Sequence, residues 1–155
     1  MKKALLIASV LFVAVISTAC INNIAVQELN NKAAEYMQKG DYEAAVNRLQ
    51  ASIDLDSTMF ETYYNLGIAA TKAQKYDVAI EAFEKGSVIK SDYADFYYSL
   101  AIAQAEYADN ILELNEDKKT ISEDDNLKAD NLKVLAVQNA QKYLELSPES
   151  QDKDN

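Results

Sequence analysis

The fold is decided between Phe60 and Tyr93, where the chain reads FETYYNLGIAATKAQKYDVAIEAFEKGSVIKSDY. Apolar and small residues recur there at spacings of three and four, as they do on the buried face of a helix. In the first half they are Tyr63, Leu66, Gly67 and Ala70, and in the second Ala79, Ile80, Phe83, Gly86 and Ile89. Residues 72–76 between the halves are polar and few, which is typical of a turn. The stretch therefore predicts two short antiparallel helices.

The same pattern can be laid over the neighbouring sequence on both sides. Residues 26–59 form a unit of the same length, 34 residues. Its turn contains Gly40, which suits the left-handed residue that ends a helix, and Asp41, which suits the cap of the next helix. A third unit, residues 94–149, keeps the first-helix pattern at Tyr97, Leu100 and Ala101.

A helix-turn-helix unit repeated every 34 residues resembles the tetratricopeptide repeat. The resemblance implies an all-α fold of three antiparallel helix hairpins, about six helices, that form a short right-handed solenoid. The repeat domain would cover 26–149, as units 26–59, 60–93 and 94–149, and a polar tail would follow at 150–155. A glycine inside a helix costs about 1 kcal/mol relative to alanine. We therefore expect Gly67 to permit close approach of the paired helix.

The third unit carries an insertion at about residues 108–130. Its first helix continues through Tyr107 and Ile111, and a facing stripe is predicted at Leu127, Leu132, Leu135 and Ala136. We predict a lengthened hairpin that projects about two turns beyond its neighbours, with the acidic run 123–125 in the loop at its tip. That loop lacks the glycine and the aspartate spacing of a calcium loop, so no metal site is predicted.

The first twenty residues are typical of an export signal. Lys2 and Lys3 precede an apolar run from Ala4 to Ile16, which as a helix is about 20 Å long and falls short of the roughly 30 Å of a bilayer core. The next residues, Ser-Thr-Ala-Cys at 17–20, resemble a bacterial lipobox, although Ser17 stands where Leu, Val or Ile is usual. We predict a signal peptide over 1–19, lipidation of Cys20 and a tether over 20–25.

This pattern predicts an exported, membrane-anchored lipoprotein that faces the periplasm or the cell surface. Residue 21 is Ile rather than Asp, which in a Gram-negative organism indicates the outer membrane. Two alternatives remain open: ordinary cleavage that gives a soluble exported protein, and an uncleaved anchor.

Composition restricts the chemistry. The chain has no His, no Trp and one Cys among 155 residues, and its net charge is −10. Such an acidic surface disfavours nucleic acid as a partner. We predict no enzyme activity, no catalytic residues, no cofactor and no metal.

In the family that the repeats resemble, the first helix of each unit lines a concave surface. Carried over by position, the resemblance places Asn30, Ala34, Met37, Tyr64, Ile68, Thr71, Tyr98, Ile102 and Ala105 there, with Glu61 and Asp95 at the rim. We take Met37, Tyr64, Ile68, Tyr98 and Ile102 as the candidate partner-binding groove. Its lining suits a protein or peptide with apolar anchors. The alternative is that these side chains only pack against one another.

The leading functional hypothesis is a lipid-anchored protein–protein interaction module, a scaffold or assembly factor at a bacterial envelope membrane. The alternative is an accessory binding protein for a small apolar ligand or lipid that cooperates with a transporter.

Overall fold

A computed structural model describes residues 23–116 and 121–147, which form six α-helices and the turns between them. Helix α1 covers residues 23–38, and the others are α2 (Tyr42–Leu55), α3 (Phe60–Lys72), α4 (Tyr76–Ile89), α5 (Ala94–Glu116) and α6 (Glu123–Leu146). The helices belong to two compact units, one that ends at Thr58 and one that begins at Met59. The predicted all-α fold of sequential helix hairpins is confirmed.

The predictions for the leader, for Cys20 and for the tail at 150–155 lie outside the described residues. Residues 23–25, which were predicted to belong to the tether, are helical and form part of α1. Within the described part of the chain, no helix is long and apolar enough to cross a bilayer.

The first unit is the hairpin of α1 and α2. Its buried apolar residues are Val26, Ala33, Ala45, Val46 and Leu49. At the turn, Gly40 adopts a left-handed φ of 75°. The Asp41 carboxylate then accepts a hydrogen bond of 3.1 Å from the backbone N–H of Ala44 and so caps α2. Both turn residues do what their positions in the sequence predict.

The second unit has a core in which aromatic rings lie against glycines. The side chain of Phe83 is fully buried on α4, and its ring occupies the space that a Cβ at Gly67 of α3 would take. Phe96 of α5 does the same at Gly86 of α4. The expectation that Gly67 permits close approach is confirmed, because the contact leaves no room for a methyl group.

Helices α5 and α6 form the lengthened hairpin that the insertion predicts. Its core consists of Ala108, Ile111, Ala129 and Leu132, against which Ile80 of α4 packs. The stripe predicted for α6 is only half right. Leu132 and Ala136 are buried, whereas Leu127 is 61% exposed and Leu135 is 43% exposed.

The acidic run is a second correction. Residues 123–125 form the first turn of α6 rather than a loop. The Ser122 hydroxyl caps the helix by accepting a hydrogen bond of 3.0 Å from the backbone N–H of Asp125. Three carboxylates in that first turn also interact favourably with the helix dipole, so the run stabilises the start of α6.

Polar contacts fix the long hairpin in place. Asn139 Nδ2 of α6 donates to Gln104 Oε1 of α5 over 2.9 Å, and Gln104 is buried. Nearer the hairpin tip, Lys128 Nζ donates to the Tyr107 hydroxyl (2.6 Å), which donates to Asp77 Oδ2 on α4 (2.8 Å). Three successive helices are thereby linked, and the outer part of α5 is held against α4.

Candidate interaction groove

Helices α3 and α5 contact each other in the second unit and leave a pocket between them. Four of the five residues predicted for the groove line it: Tyr64 and Ile68 from α3, and Tyr98 and Ile102 from α5. The remaining lining residues are Thr71, Lys72, Phe83, Ser99 and Glu106. We call this site the tyrosine pocket. The fifth predicted residue, Met37, lies on α1 of the first unit.

One wall of the tyrosine pocket packs against aromatic rings of the core. Tyr64 is partly buried, and its ring lies edge to face with those of Phe96 (5.5 Å between centroids) and Tyr93 (5.5 Å). Its ring is also 5.9 Å from Phe83, which forms part of the lining. Aromatic pairs at such distances contribute about 0.5–1.5 kcal/mol each beyond the area that they bury. Tyr64 is therefore both a core residue and a wall of the site.

The opposite wall is presented to solvent. Tyr98 is 51% exposed, and its ring lies 5.3 Å from that of Tyr143 on α6. Ile102, one turn further along α5, is 37% exposed. These two side chains can contact a bound segment without any rearrangement of the core.

The pocket is small, with a volume of about 170 Å³. A cavity of roughly 150 Å³ accommodates benzene, whereas small-molecule sites usually measure about 300–1,000 Å³. The size fits one large apolar side chain of a peptide. Lys72 and Glu106 are the charged residues among its lining.

A second pocket, not predicted from the sequence, lies further along α5. Its lining residues are Gln74, Tyr76, Glu106, Asp109, Asn110 and Glu113, and its volume is about 240 Å³. We call it the acidic pocket. It shares Glu106 with the tyrosine pocket, so that the two sites adjoin. The carboxylates at 106, 109 and 113 continue the three-and-four spacing of Tyr98 and Ile102, and this was the signal that could have revealed it.

The acidic pocket raises the pKa of Tyr76, one of its lining residues. Burial raises the pKa of Tyr76 above its usual value, and the negative charges of Glu106 and Glu113 raise it further. The ring of Tyr76 stacks on that of Tyr107, with centroids 5.3 Å apart. A neutral aromatic surface therefore lies beneath the acidic side chains.

The first unit has a wider and more polar pocket of about 610 Å³. Most of its lining is charged: Glu28, Lys32, Glu35, Lys39 and Arg48. Lys32 and Glu35 pair with each other at 3.4 Å, and both side chains are about half exposed. This charged and exposed surface does not resemble a site for an apolar ligand.

Across residues 23–116 and 121–147, no three side chains of His, Cys, Asp or Glu come close enough together to hold a metal ion. The helical scaffold is of a type that is typically non-catalytic.

Comparison with known proteins agrees with the hairpin geometry. A family profile described as "TPR repeat" matches residues 33–74, and one described as "Tetratricopeptide repeat" matches residues 60–92. The repeat over residues 33–92 is thus of the tetratricopeptide type. The second match coincides almost completely with the α3–α4 hairpin.

Three similar proteins each match part of this chain. A TPR repeat-containing protein of Schizosaccharomyces pombe is 32% identical over 78 residues, which is 50% of this chain but 10% of that protein. The crystal structure of MamA is similar over 81% of this chain and 80% of that one, with 27% identity and a TM-score of 0.50. A second MamA structure shares 24% identity at the same TM-score, over 88% of this chain and 80% of that one.

Proposed function

We propose that this chain is a lipid-anchored interaction module that holds a segment of a partner protein in its tyrosine pocket, as a scaffold or assembly factor at a bacterial envelope membrane. One observation carries the proposal. Four apolar or aromatic side chains from two helices converge on a single pocket of about 170 Å³ that is open to solvent. A hairpin repeat that only packed against itself would fill that space with its own side chains.

The size of the pocket supports a peptide in preference to a small apolar ligand or lipid. The volume is below that of a usual small-molecule site, and the exposed Tyr98 and Ile102 leave one side of the occupant in water. A peptide can insert one side chain and keep its backbone solvated, whereas a lipid would leave most of its chain exposed.

The pocket is tested by placing a charge in it. In Ile102→Glu the new carboxylate lies among the apolar lining of the tyrosine pocket, where a bound apolar side chain would desolvate it. The matched control is Val88→Glu, because Val88 is 82% exposed on α4 and does not line the pocket. Both variants should stay folded by circular dichroism, and only Ile102→Glu should lose its partner.

The partner is identified with a photo-crosslinking amino acid at position 98, in cells of a bacterial host, followed by mass spectrometry of the adduct. Position 88 is the control site. We expect an adduct at 98 that disappears in the Ile102→Glu background. Equal adducts from both positions would remove the tyrosine pocket from the proposal.

The anchor is a separate part of the proposal and rests on the basic start, the apolar run and the lipobox-like residues 17–20. Intact mass of protein extracted with detergent should show a species that begins at Cys20 and carries acyl chains. A Cys20→Ala variant should lack that mass and leave the membrane fraction. A mature Cys20 without acyl mass would contradict the anchor and leave the pocket untouched.

A further inference from the structure

The tyrosine pocket and the acidic pocket adjoin along one face of α5. Glu106 lines both, and Asp109 and Glu113 continue from it. All three side chains are exposed. An apolar site and an anionic site are thus placed end to end along one helix, and the second lies beside the turn between α3 and α4.

We infer that these two pockets act as one composite groove, and that its occupant is a partner segment with one large apolar side chain and basic residues close to it in sequence. The inference rests on the proposed function of the tyrosine pocket and adds the chemical class of the segment. The apolar side chain occupies the tyrosine pocket. The lysine or arginine side chains face Glu106, Asp109 and Glu113.

Charge complementarity identifies the occupant. Among the residues that the structure describes, none of the three carboxylates forms an ion pair. The residues that line the two pockets include one cation, Lys72, which lines the tyrosine pocket together with Glu106. Like charges on successive turns of a helix repel one another, and a bound cationic segment removes that repulsion.

The helix geometry sets the spacing of the segment. From Ile102 to Glu113, α5 rises about 16 Å, a distance that an extended peptide covers in about five residues. Basic residues should therefore lie within about five positions of the apolar side chain. Tyr76 and Gln74 line the same pocket and offer an aromatic face and an amide to the cationic groups.

The test uses full-length protein purified in detergent and short fluorescent peptides with one phenylalanine and three lysines in the next five positions. A reversed peptide, with the lysines first, covers the opposite direction of binding. Matched peptides replace the lysines by glutamine, or the phenylalanine by alanine. Affinity is measured by fluorescence anisotropy at low salt and at about 1 M salt, where the Debye length is roughly 3 Å.

The protein variants compare equal changes of charge at two places. Glu106→Gln with Glu113→Gln neutralises the acidic pocket. The control, Glu84→Gln with Asp130→Asn, removes two exposed carboxylates that line neither pocket. We expect the first pair to weaken binding of one lysine peptide about three- to tenfold at low salt. The control should change it less than twofold, and the difference should vanish at high salt.

The outcomes separate the inference from the proposed function. If the glutamine peptide binds as tightly as the lysine peptides, or if both variant pairs weaken binding equally, the composite groove is wrong while the tyrosine pocket stands. If peptide affinity changes neither when alanine replaces the phenylalanine nor in the Ile102→Glu protein, the proposed function fails as well. The composite groove requires two results. Binding must be lost when the phenylalanine is replaced, and it must also be lost when the lysines are replaced.

Discussion

The two hairpins of the second unit are held together in different ways. In the short α3–α4 hairpin, a glycine meets an aromatic ring, Gly67 against Phe83, and the helices approach closely. In the long α5–α6 hairpin, whose helices have 23 and 24 residues, alanines and aliphatic side chains meet and an amide pair is added. The short hairpin depends on a few tight contacts. The long one combines small apolar contacts with a polar link between its helices.

The largest expected effect comes from filling the tight contact. In Gly67→Ala the new Cβ overlaps the ring of Phe83, which is fully buried. Alanine gains about 1 kcal/mol in helix propensity, but overpacking of a filled core commonly costs about 1–3 kcal/mol or more. Because the overlap with the ring is deep, we expect a cost at the upper end of that range and a net loss of about 2 kcal/mol, measured as the shift of the urea midpoint at constant slope.

Two further variants show whether that loss arises at the contact. Phe83→Leu shortens the opposing side chain, so the Gly67→Ala, Phe83→Leu double variant should lose less than the sum of the single changes. Asn65→Ala, at an exposed position of the same helix, should change stability by less than about 0.5 kcal/mol. Additive losses would mean that Gly67 matters for another reason.

In the long hairpin, the most sensitive point is the hydrogen bond between the buried amide of Gln104 and the partly buried amide of Asn139. Asn139→Ala leaves Gln104 Oε1 without its partner at a residue that is 2% exposed, which costs about 1–2 kcal/mol. Lys128→Met removes a more exposed interaction, since the Lys128 side chain is 49% exposed and lies 3.9 Å from Asp77. That change should cost less than about 1 kcal/mol.

The same urea measurements compare the losses of unfolding free energy in Asn139→Ala and Lys128→Met. Replacing both amides, as Gln104→Leu with Asn139→Leu, should restore much of the stability that Asn139→Ala loses, because no unpaired group remains. A double variant that is less stable than Asn139→Ala would show that the amide pair stabilises the hairpin by more than the cost of one unpaired amide.

The difference between the hairpins also explains what could be predicted from the sequence. In α3 and α4 one apolar stripe satisfies the helical period, so the buried face and the close approach at Gly67 follow directly. Four side chains of the tyrosine pocket follow from the repeat positions, because the repeat fixes which side of α3 and α5 faces outward.

For α6 the period alone is ambiguous. Two apolar stripes satisfy it, one that includes Ala129, Leu132 and Ala136, and one formed by Leu127, Val134, Val137 and Leu144. Packing of Ala129 against α5 selects the first and leaves the second exposed. The start of α6 was missed for another reason: Ser122 lies three residues before Asp125, a capping pattern, but the charge of residues 123–125 suggested a loop.

A smaller effect is expected at the turn of the short hairpin. Gln74 has a left-handed φ of 57°, whereas the equivalent turn of the first unit has Gly40 at 75°. Gln74→Gly should stabilise the protein by about 0.5–1 kcal/mol, since glycine adopts this conformation without steric cost. Gly40→Ala is the reverse substitution. Its Cβ would meet no atom within 4 Å, so we expect only the backbone penalty, a loss of about 1 kcal/mol. Loss of stability in Gln74→Gly would mean that the side chain makes a compensating contact.

The smallest expected change in stability concerns Tyr76, where α4 of the short hairpin meets α5 of the long one. Burial, followed by Glu106 and Glu113, raises its pKa in the folded state above that of an unfolded tyrosine, about 10. The folded protein then holds the phenolic proton more tightly, so this contribution to stability is fully present below about pH 10 and is lost as the pH rises through the folded pKa. Tyr76→Phe should therefore make stability fall less steeply above pH 10, in urea titrations at successive pH values. Tyr36→Phe, in the first unit, is the control, and an equal flattening in both would show that the alkaline loss does not arise where the two hairpins meet.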